Sequence, residues 1–118
     1  MLATPSRAST TQLRLGQIAL SAGQPATARR LGLLALHAPG GSHKDSHARA
    51  QALLVLAQAD VLESRMGSAY GLSRAALHSF EAHHDLEHCA ETLGVMSYSA
   101  ASLGLSDVAL DAARRCGD

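Results

Sequence analysis

The fold of this chain is decided by residues 13–36, LRLGQIALSAGQPATARRLGLLAL, which recur in altered form at 53–77 and at 94–116. The second copy reads LLVLAQADVLESRMGSAYGLSRAAL, and the third reads GVMSYSAASLGLSDVALDAARRC. Matching small residues such as Ala28, Ala69 and Ala109 lie 41 and then 40 residues apart. A period of this length indicates an array of repeated supersecondary units.

Five columns of the repeat carry residues of one type in all three copies. They are the large Leu15, Leu56 and Met96; the small Gly16, Ala57 and Ser97; the turn residues Gly23, Ser64 and Gly104; the small Ala28, Ala69 and Ala109; and the small Ala35, Ala76 and Cys116. Two helices cross closely where the facing residues are small, and a large residue fills the groove beside them. Because one hairpin cannot bury its apolar face alone, the pattern predicts a stack of hairpins.

The composition favours helices throughout the chain. Hydrophobic residues make up 47% of the 118 residues but aromatic residues only 3%, so the apolar mass is mainly the helix formers alanine and leucine. No stretch alternates apolar and polar residues, so no strand is predicted. Breakers and capping residues place six helices at about 11–22, 25–37, 46–64, 67–82, 85–103 and 106–116. We expect one domain, 1–118, with hairpins at about 9–38, 46–82 and 85–117.

The repeat resembles the tetratricopeptide repeat over roughly residues 9–118. In that family leucine and a small residue mark the first helix, glycine marks the turn, and two alanines seven apart mark the second helix. The resemblance implies an all-α fold, a right-handed superhelix of about three helical hairpins. The chain departs from the family in its longer period, against about 34 residues, in the missing aromatic residue of the first helix, and in Ser64 at the second turn.

The resemblance implies a non-catalytic module that binds proteins. Residues 75–110, AALHSFEAHHDLEHCAETLGVMSYSAASLGLSDVAL, are also similar to long-period repeats at the N-termini of bacterial signalling proteins, including GGDEF diguanylate cyclases. We therefore expect a protein-interaction or regulatory module that forms the N-terminal part of a larger signalling protein. One alternative is a self-associating structural module, a homodimer that covers Val108, Leu110 and Ala112 on the last hairpin.

In the tetratricopeptide family the first helices of the hairpins line a groove that receives peptides or helices of partners. By repeat position, the resemblance assigns to this groove Leu13, Arg14, Gln17, Leu54, Val55, Gln58, Leu62, Glu91, Val95 and Tyr98. Packing between hairpins is the competing interpretation for the apolar members. The lysines and asparagines with which chaperone-binding members clamp a peptide carboxylate have no counterpart here. The expected ligand is therefore a protein or peptide, such as an amphipathic helix of a partner or of the same polypeptide.

Histidines spaced four residues apart are candidate metal ligands. His43 with His47 and His84 with His88 form two such pairs, 41 residues apart. On a helix, each pair would share one face and could chelate zinc or nickel. Further candidate ligands nearby are Asp45, Asp85, Glu87 and Cys89. The competing interpretation is a set of solvated loop residues whose spacing follows from the repeat alone, and on it we expect no metal and no cofactor. A metal- or pH-responsive sensor stays open as a second alternative function.

Charge and motifs exclude several classes of function. Lys plus Arg and Asp plus Glu both number 10, so the chain lacks the basic surface that binding to nucleic acids or anionic membranes requires. The longest apolar region, 52–62, is interrupted by Gln58 and Asp60 and is too short to cross a bilayer. No nucleophile elbow, P-loop or zinc-protease motif occurs, so no enzymatic activity is expected.

The remaining features favour a cytoplasmic protein. The N-terminal sequence lacks the apolar segment of a secretory signal, and Cys89 and Cys116 form no disulfide framework. Free thiols are typical of a reducing compartment. On solvated helix faces we expect Arg29, Arg30, Arg74 and Arg114.

Overall fold

Helices account for all regular secondary structure in the described parts of the chain. The structure is a computed structural model that describes residues 4–37 and 46–117, with side chains from 10 to 37 and from 46 to 115. The helices are α1 (Thr4–Ser21), α2 (Pro25–Leu36), α3 (Ser46–Leu62), α4 (Met66–Ala82), α5 (Leu86–Ser102) and α6 (Ser106–Gly117). Over these residues the predicted all-α fold is confirmed. The first helix begins earlier than expected, at Thr4, because its serines and threonines have low helix propensity and gave no periodic signal.

The six helices stack in the order of the sequence. Each helix packs against the next, and α3 also packs against α1 and α5. Within the described ranges, the backbones of α2, α4 and α6 do not approach one another, and a side-chain ion pair from Arg115 of α6 to Glu81 of α4 spans the gap between those two helices. The first helices of the hairpins therefore form one layer and the second helices lie outside it, in a molecule with extents of 48 × 29 × 19 Å. The right-handed superhelix implied by the tetratricopeptide resemblance stays a prediction.

Four helix ends share one turn conformation. The left-handed residues are Gly23 (φ 72°), Ser64 (φ 62°), His84 (φ 56°) and Gly104 (φ 80°). The amide of the residue after each one donates to a carbonyl of the last helical turn, in a Schellman motif: Gln24 to Ala19, Arg65 to Asp60, Asp85 to Phe80 and Leu105 to Ala100. The turn column of the repeat is thus conformationally uniform, and His84 places the same motif between two hairpins.

Ser64→Gly is expected to raise the free energy of unfolding by about 0.5–1 kcal/mol, because a side chain in the left-handed region is strained by about 1–2 kcal/mol and glycine adds some freedom to the unfolded chain. Urea denaturation followed by circular dichroism measures this change. Ser64→Ala retains a Cβ atom and is the matched control. A glycine variant no more stable than the alanine variant would contradict a strained turn at this position.

Among the residues that the structure describes, the core consists of two clusters of buried side chains. The cluster among α1, α2 and α3 contains Leu13, Ala19, Ala28, Ala35, Ala52, Val55 and Ala59. The cluster among α3, α4, α5 and α6 contains Ala50, Leu53, Leu54, Ala76, Leu77, Phe80, Cys89, Leu93, Met96 and Ala112. Because α3 contributes to both clusters, it connects the first hairpin to the core of the other two.

Small residues lie where neighbouring helices approach closely. The alanines of the small columns at 28, 35, 57, 69 and 76 are fully buried. A Cβ atom on Gly32 would lie 3.0 Å from Leu56 Cδ2, and one on Gly16 would lie 3.2 Å from Val55 Cγ1. Leu15 departs from its column, since it is 47% exposed while Leu56 and Met96 are buried. It belongs to the first hairpin, which has a neighbouring hairpin on one side only in the described chain.

The last hairpin is better covered than the sequence suggests. Of its three apolar positions predicted to lack cover, Ala112 is buried in the core, Val108 is half-buried and Leu110 is 60% exposed. Within the described part of the chain, no helix has both the length and the hydrophobicity needed to cross a bilayer.

Candidate functional site

A cleft of about 810 Å3 runs along the layer of first helices. Its walls come from α1 (Gln17, Leu20, Ser21), α3 (Gln58, Val61, Leu62) and α5 (Glu87, His88, Glu91, Gly94, Val95, Tyr98). The volume falls within the range of ligand pockets in proteins. One face of all three hairpins therefore contributes to a single continuous depression.

Six of the ten residues assigned to the groove line this cleft. They are Gln17, Gln58, Leu62, Glu91, Val95 and Tyr98. Leu13, Leu54 and Val55 lie in the core instead, with exposures of 5%, 3% and 2%, and Arg14 is exposed on α1 outside the cleft wall.

The difference between the predicted groove and the observed cleft has a geometric cause. α3 packs against α1, α2, α4 and α5, so only one narrow strip of its surface remains open. Residues on such a strip recur every three or four positions, as Gln58, Val61 and Leu62 do. The assignment by repeat position included residues on more than one side of α1 and α3, because repeat position alone does not reveal this restriction. Six cleft residues were not predicted for the groove, and each lies three or four positions from one that was: Leu20, Ser21, Val61, Glu87, His88 and Gly94.

The cleft combines apolar surface with negative charge. Leu62 and Tyr98 are 51% and 57% exposed, and Val61 and Val95 are half-buried. Glu87 and Glu91 are exposed one turn apart on α5, and no lysine or arginine belongs to the described lining. The Gln58 side-chain amide donates to Glu91 Oε2 at 3.0 Å, across the boundary between α3 and α5.

A second group of functional side chains meets where α4 turns into α5. His47 Nε2, from α3, and His88 Nδ1, from α5, each lie 2.6 Å from the same oxygen, Asp85 Oδ2. The other oxygen, Asp85 Oδ1, accepts the His88 backbone N–H at 3.1 Å and so caps α5. Phe80, fully buried, stacks on the His88 ring at 4.9 Å and meets the His47 ring edge-on at 5.8 Å.

The hydrogen bonds to Asp85 determine its ionisation. Burial of the carboxylate acts to raise its pKa. The hydrogen bonds from His47, from the His88 backbone and from the His88 ring outweigh that effect and lower the pKa of Asp85 to about 2. The carboxylate is therefore ionised at neutral pH, and both rings direct an N–H toward it.

Of the two histidine pairs predicted from the four-residue spacing, the one that the structure describes, His84 with His88, does not come together as predicted. His84 is exposed and left-handed in the turn before α5, so it does not share a helix face with His88. His43 and Asp45 lie outside the described residues. His47 and His88 come together instead, with ring centroids 6.1 Å apart. The repeat itself indicated this contact. His47 and His88 are 41 residues apart, so they occupy the same repeat position on the adjacent helices α3 and α5.

The two remaining candidate ligands, Glu87 and Cys89, lie outside the cluster formed by His47, Asp85 and His88. Glu87 belongs to the cleft wall. Cys89 is buried in the core, and this burial, reinforced by the charges of Glu81 and Asp85, raises the pKa of its thiol. A raised pKa disfavours the thiolate, which is the form that binds metals and attacks substrates.

Comparison with protein-family models, with characterised proteins and with solved structures found no match to this chain. The tetratricopeptide resemblance therefore depends on the repeat itself, and the features that bear on function are the cleft and the histidine cluster.

Proposed function

We propose that the chain is a non-catalytic protein-interaction module whose cleft binds a basic amphipathic helix of a partner protein. The observation that carries this proposal is the composition of the cleft wall. Leu62 and Tyr98, large and more than half exposed, lie in the same depression as the acidic pair Glu87 and Glu91.

The apolar residues provide anchoring surface. Exposed apolar and aromatic side chains in a concave site are typical of grooves that receive the apolar face of a helix. Tyrosine is a frequent hot-spot residue because it buries a large area while losing few rotamers. Tyr98 and Leu62 are therefore the expected anchors.

The acidic pair supplies selectivity. Glu87 and Glu91 are one turn apart on α5, so lysines or arginines one turn apart on the docked helix can face both carboxylates. Complementary charge of this kind accelerates association and discriminates against acidic partners. A basic amphipathic helix fits this wall better than a neutral or acidic one.

A regulatory role is consistent with this binding activity. The similarity of residues 75–110 to repeats of bacterial signalling proteins supports a module that transmits the state of a partner to a separate output domain. Neither the cleft nor the buried Cys89 offers an activated nucleophile, which supports a binding rather than a catalytic function.

The proposal is tested with two synthetic helical peptides of equal length. One carries leucines on one face and lysines beside them, and the other carries glutamates in place of the lysines. We expect the basic peptide alone to bind, with amide shifts in NMR spectra concentrated on the cleft-facing residues of α1, α3 and α5. Glu91→Lys and Tyr98→Ser are each expected to weaken its binding by about 10-fold or more.

Matched controls come from α6, outside the cleft. Asp111→Lys makes the same change of charge, and Leu110→Ser makes a comparable loss of exposed apolar surface; both are expected to leave the affinity unchanged. Equal affinity for the two peptides, or equal losses in the control variants, would contradict the proposal. Sedimentation of a dimer that Tyr98→Ser dissociates would identify a second copy of the chain as the occupant of the cleft instead.

A further inference from the structure

We propose that His47, Asp85 and His88 bind a divalent transition-metal cation such as Zn²⁺. One donor atom from each residue lies within 4.8 Å of the others, in a group drawn from two hairpins. The cluster is adjacent to the acidic cleft, whose wall includes His88, but the proposal does not depend on what the cleft binds.

The donor set suits this class of cation. Two imidazole nitrogens and one carboxylate oxygen are common ligands of zinc, which accepts three protein ligands and a water molecule in open tetrahedral sites. Such a site separates neighbouring ligand atoms by about 3.3 Å, given metal–ligand bonds of about 2.0–2.2 Å. The two ring nitrogens now lie 2.6 Å from Asp85 Oδ2, so a small outward movement of the side chains makes room for the ion.

The ligands are held in place before the ion arrives. The capping bond from the His88 amide to Asp85 Oδ1 orients the carboxylate and leaves Oδ2 facing both rings. The buried Phe80 ring packs against both imidazoles, stacked on that of His88 and edge-on to that of His47, and so restricts their movement. Contacts that orient the ligating side chains themselves contribute to metal affinity.

The cluster is accessible without being fully solvated. The side chains of His47, Asp85 and His88 are 36%, 17% and 22% exposed, so an ion can enter and retain a water ligand. His83 lies close by, with its ring 5.0 Å from that of His47, but its Nε2 is hydrogen-bonded to Ser46 Oγ at 2.8 Å. The three-ligand group is therefore the site, and His83 is a neighbour.

Binding replaces two hydrogen bonds by metal–ligand bonds. His47 must offer an unprotonated Nε2 and His88 an unprotonated Nδ1. The proton that each nitrogen now donates to Asp85 moves to the other ring nitrogen or leaves to solvent. No oxidation or reduction is involved, and the ion ties α3 to the start of α5.

The test titrates the metal-free chain with Zn²⁺ in competition with a chromophoric chelator. We expect one tight site per chain at micromolar zinc. His47→Gln and His88→Gln are each expected to weaken it by more than about 10-fold, since even residues that only orient ligands contribute about 10- to 100-fold. Asp85→Asn retains a capping side chain but removes the anionic ligand, and is expected to weaken binding similarly. His78→Gln, at an exposed position within α4, is the matched control and should bind as the parent does.

Absence of one-to-one binding in the parent chain, or an unchanged affinity in His47→Gln and His88→Gln, would overturn the proposal. An equal loss in His78→Gln would overturn it too. Circular dichroism establishes that each variant is folded. A second measurement needs no variant: Zn²⁺ is expected to protect His47 and His88 of the parent chain from diethylpyrocarbonate, while His78 and His84 react equally with and without the metal. If Zn²⁺ left the modification rates of all four histidines unchanged, the proposed site would be excluded.

Discussion

Arg29→Met is expected to lower the free energy of unfolding by about 3–5 kcal/mol, the typical result of removing one partner from a buried ion pair. Arg29 Nη1 donates to Asp60 Oδ1 at 2.6 Å, and Asp60 is only 1% exposed. The guanidinium also pairs with Glu63, and Ser68 donates to the second oxygen of Asp60. Without Arg29, a buried carboxylate would keep a single hydroxyl as its compensating side-chain partner.

Chemical denaturation of three variants separates this cause from loss of packing. Arg30→Met makes the same change at an exposed neighbouring position and is expected to alter stability by less than about 0.5 kcal/mol. Combining Arg29→Met with Asp60→Leu removes the unpaired charge and is expected to restore most of the lost stability. A loss below about 1 kcal/mol in Arg29→Met would mean that the pair behaves like an exposed salt bridge.

Phe80→Ala is expected to cost about 3–5 kcal/mol, because truncating a buried phenylalanine leaves a cavity as well as losing apolar burial. Phe80 is the chain's single phenylalanine and has no exposed surface. It packs in the larger core cluster and against the rings of His47 and His88. Its removal therefore loosens the contact between the second and third hairpins.

Thermal and urea unfolding measure this loss, and two further variants calibrate it. Phe80→Leu retains most of the volume and is expected to cost less than about 1.5 kcal/mol. Leu86→Ala, at a position 79% exposed, is expected to change stability by less than about 0.5 kcal/mol. If Phe80→Ala were no more harmful than Leu86→Ala, the ring would not be a core element.

Arg29 shows where sequence reasoning failed. Its repeat position and its neighbour Arg30 predicted a solvated face, and this was correct for Arg30 but wrong for Arg29. In the sequence, Asp60 stands out only as a charged interruption of an apolar run. Neither residue by itself reveals a partner 31 positions away, because the pairing depends on which sides of α2 and α3 face each other.

The histidine cluster shows a signal that was present but misassigned. The four-residue spacing predicts pairs of histidines on one helix face. His84 instead adopts the left-handed turn conformation before α5, so it cannot share a helix face with His88. The 41-residue spacing of His47 and His88 was the informative one, since equivalent residues on stacked first helices become neighbours. Asp85 completes the group because the cap of α5 holds its carboxylate between the two rings.

The sequence by itself determined the helices, the turns and the positions of close contact between hairpins. These follow from local causes: helix propensity, residues that stop helices, and small residues repeated every 40 or 41 positions. Tertiary structure decided which strip of α1, α3 and α5 stays open as a cleft, which arginine pairs with Asp60, and which histidines meet at Asp85. The physical reason is that these features depend on how helices rotate and cross when hairpins stack. Side chains far apart in sequence then share one environment, and no local pattern encodes that outcome.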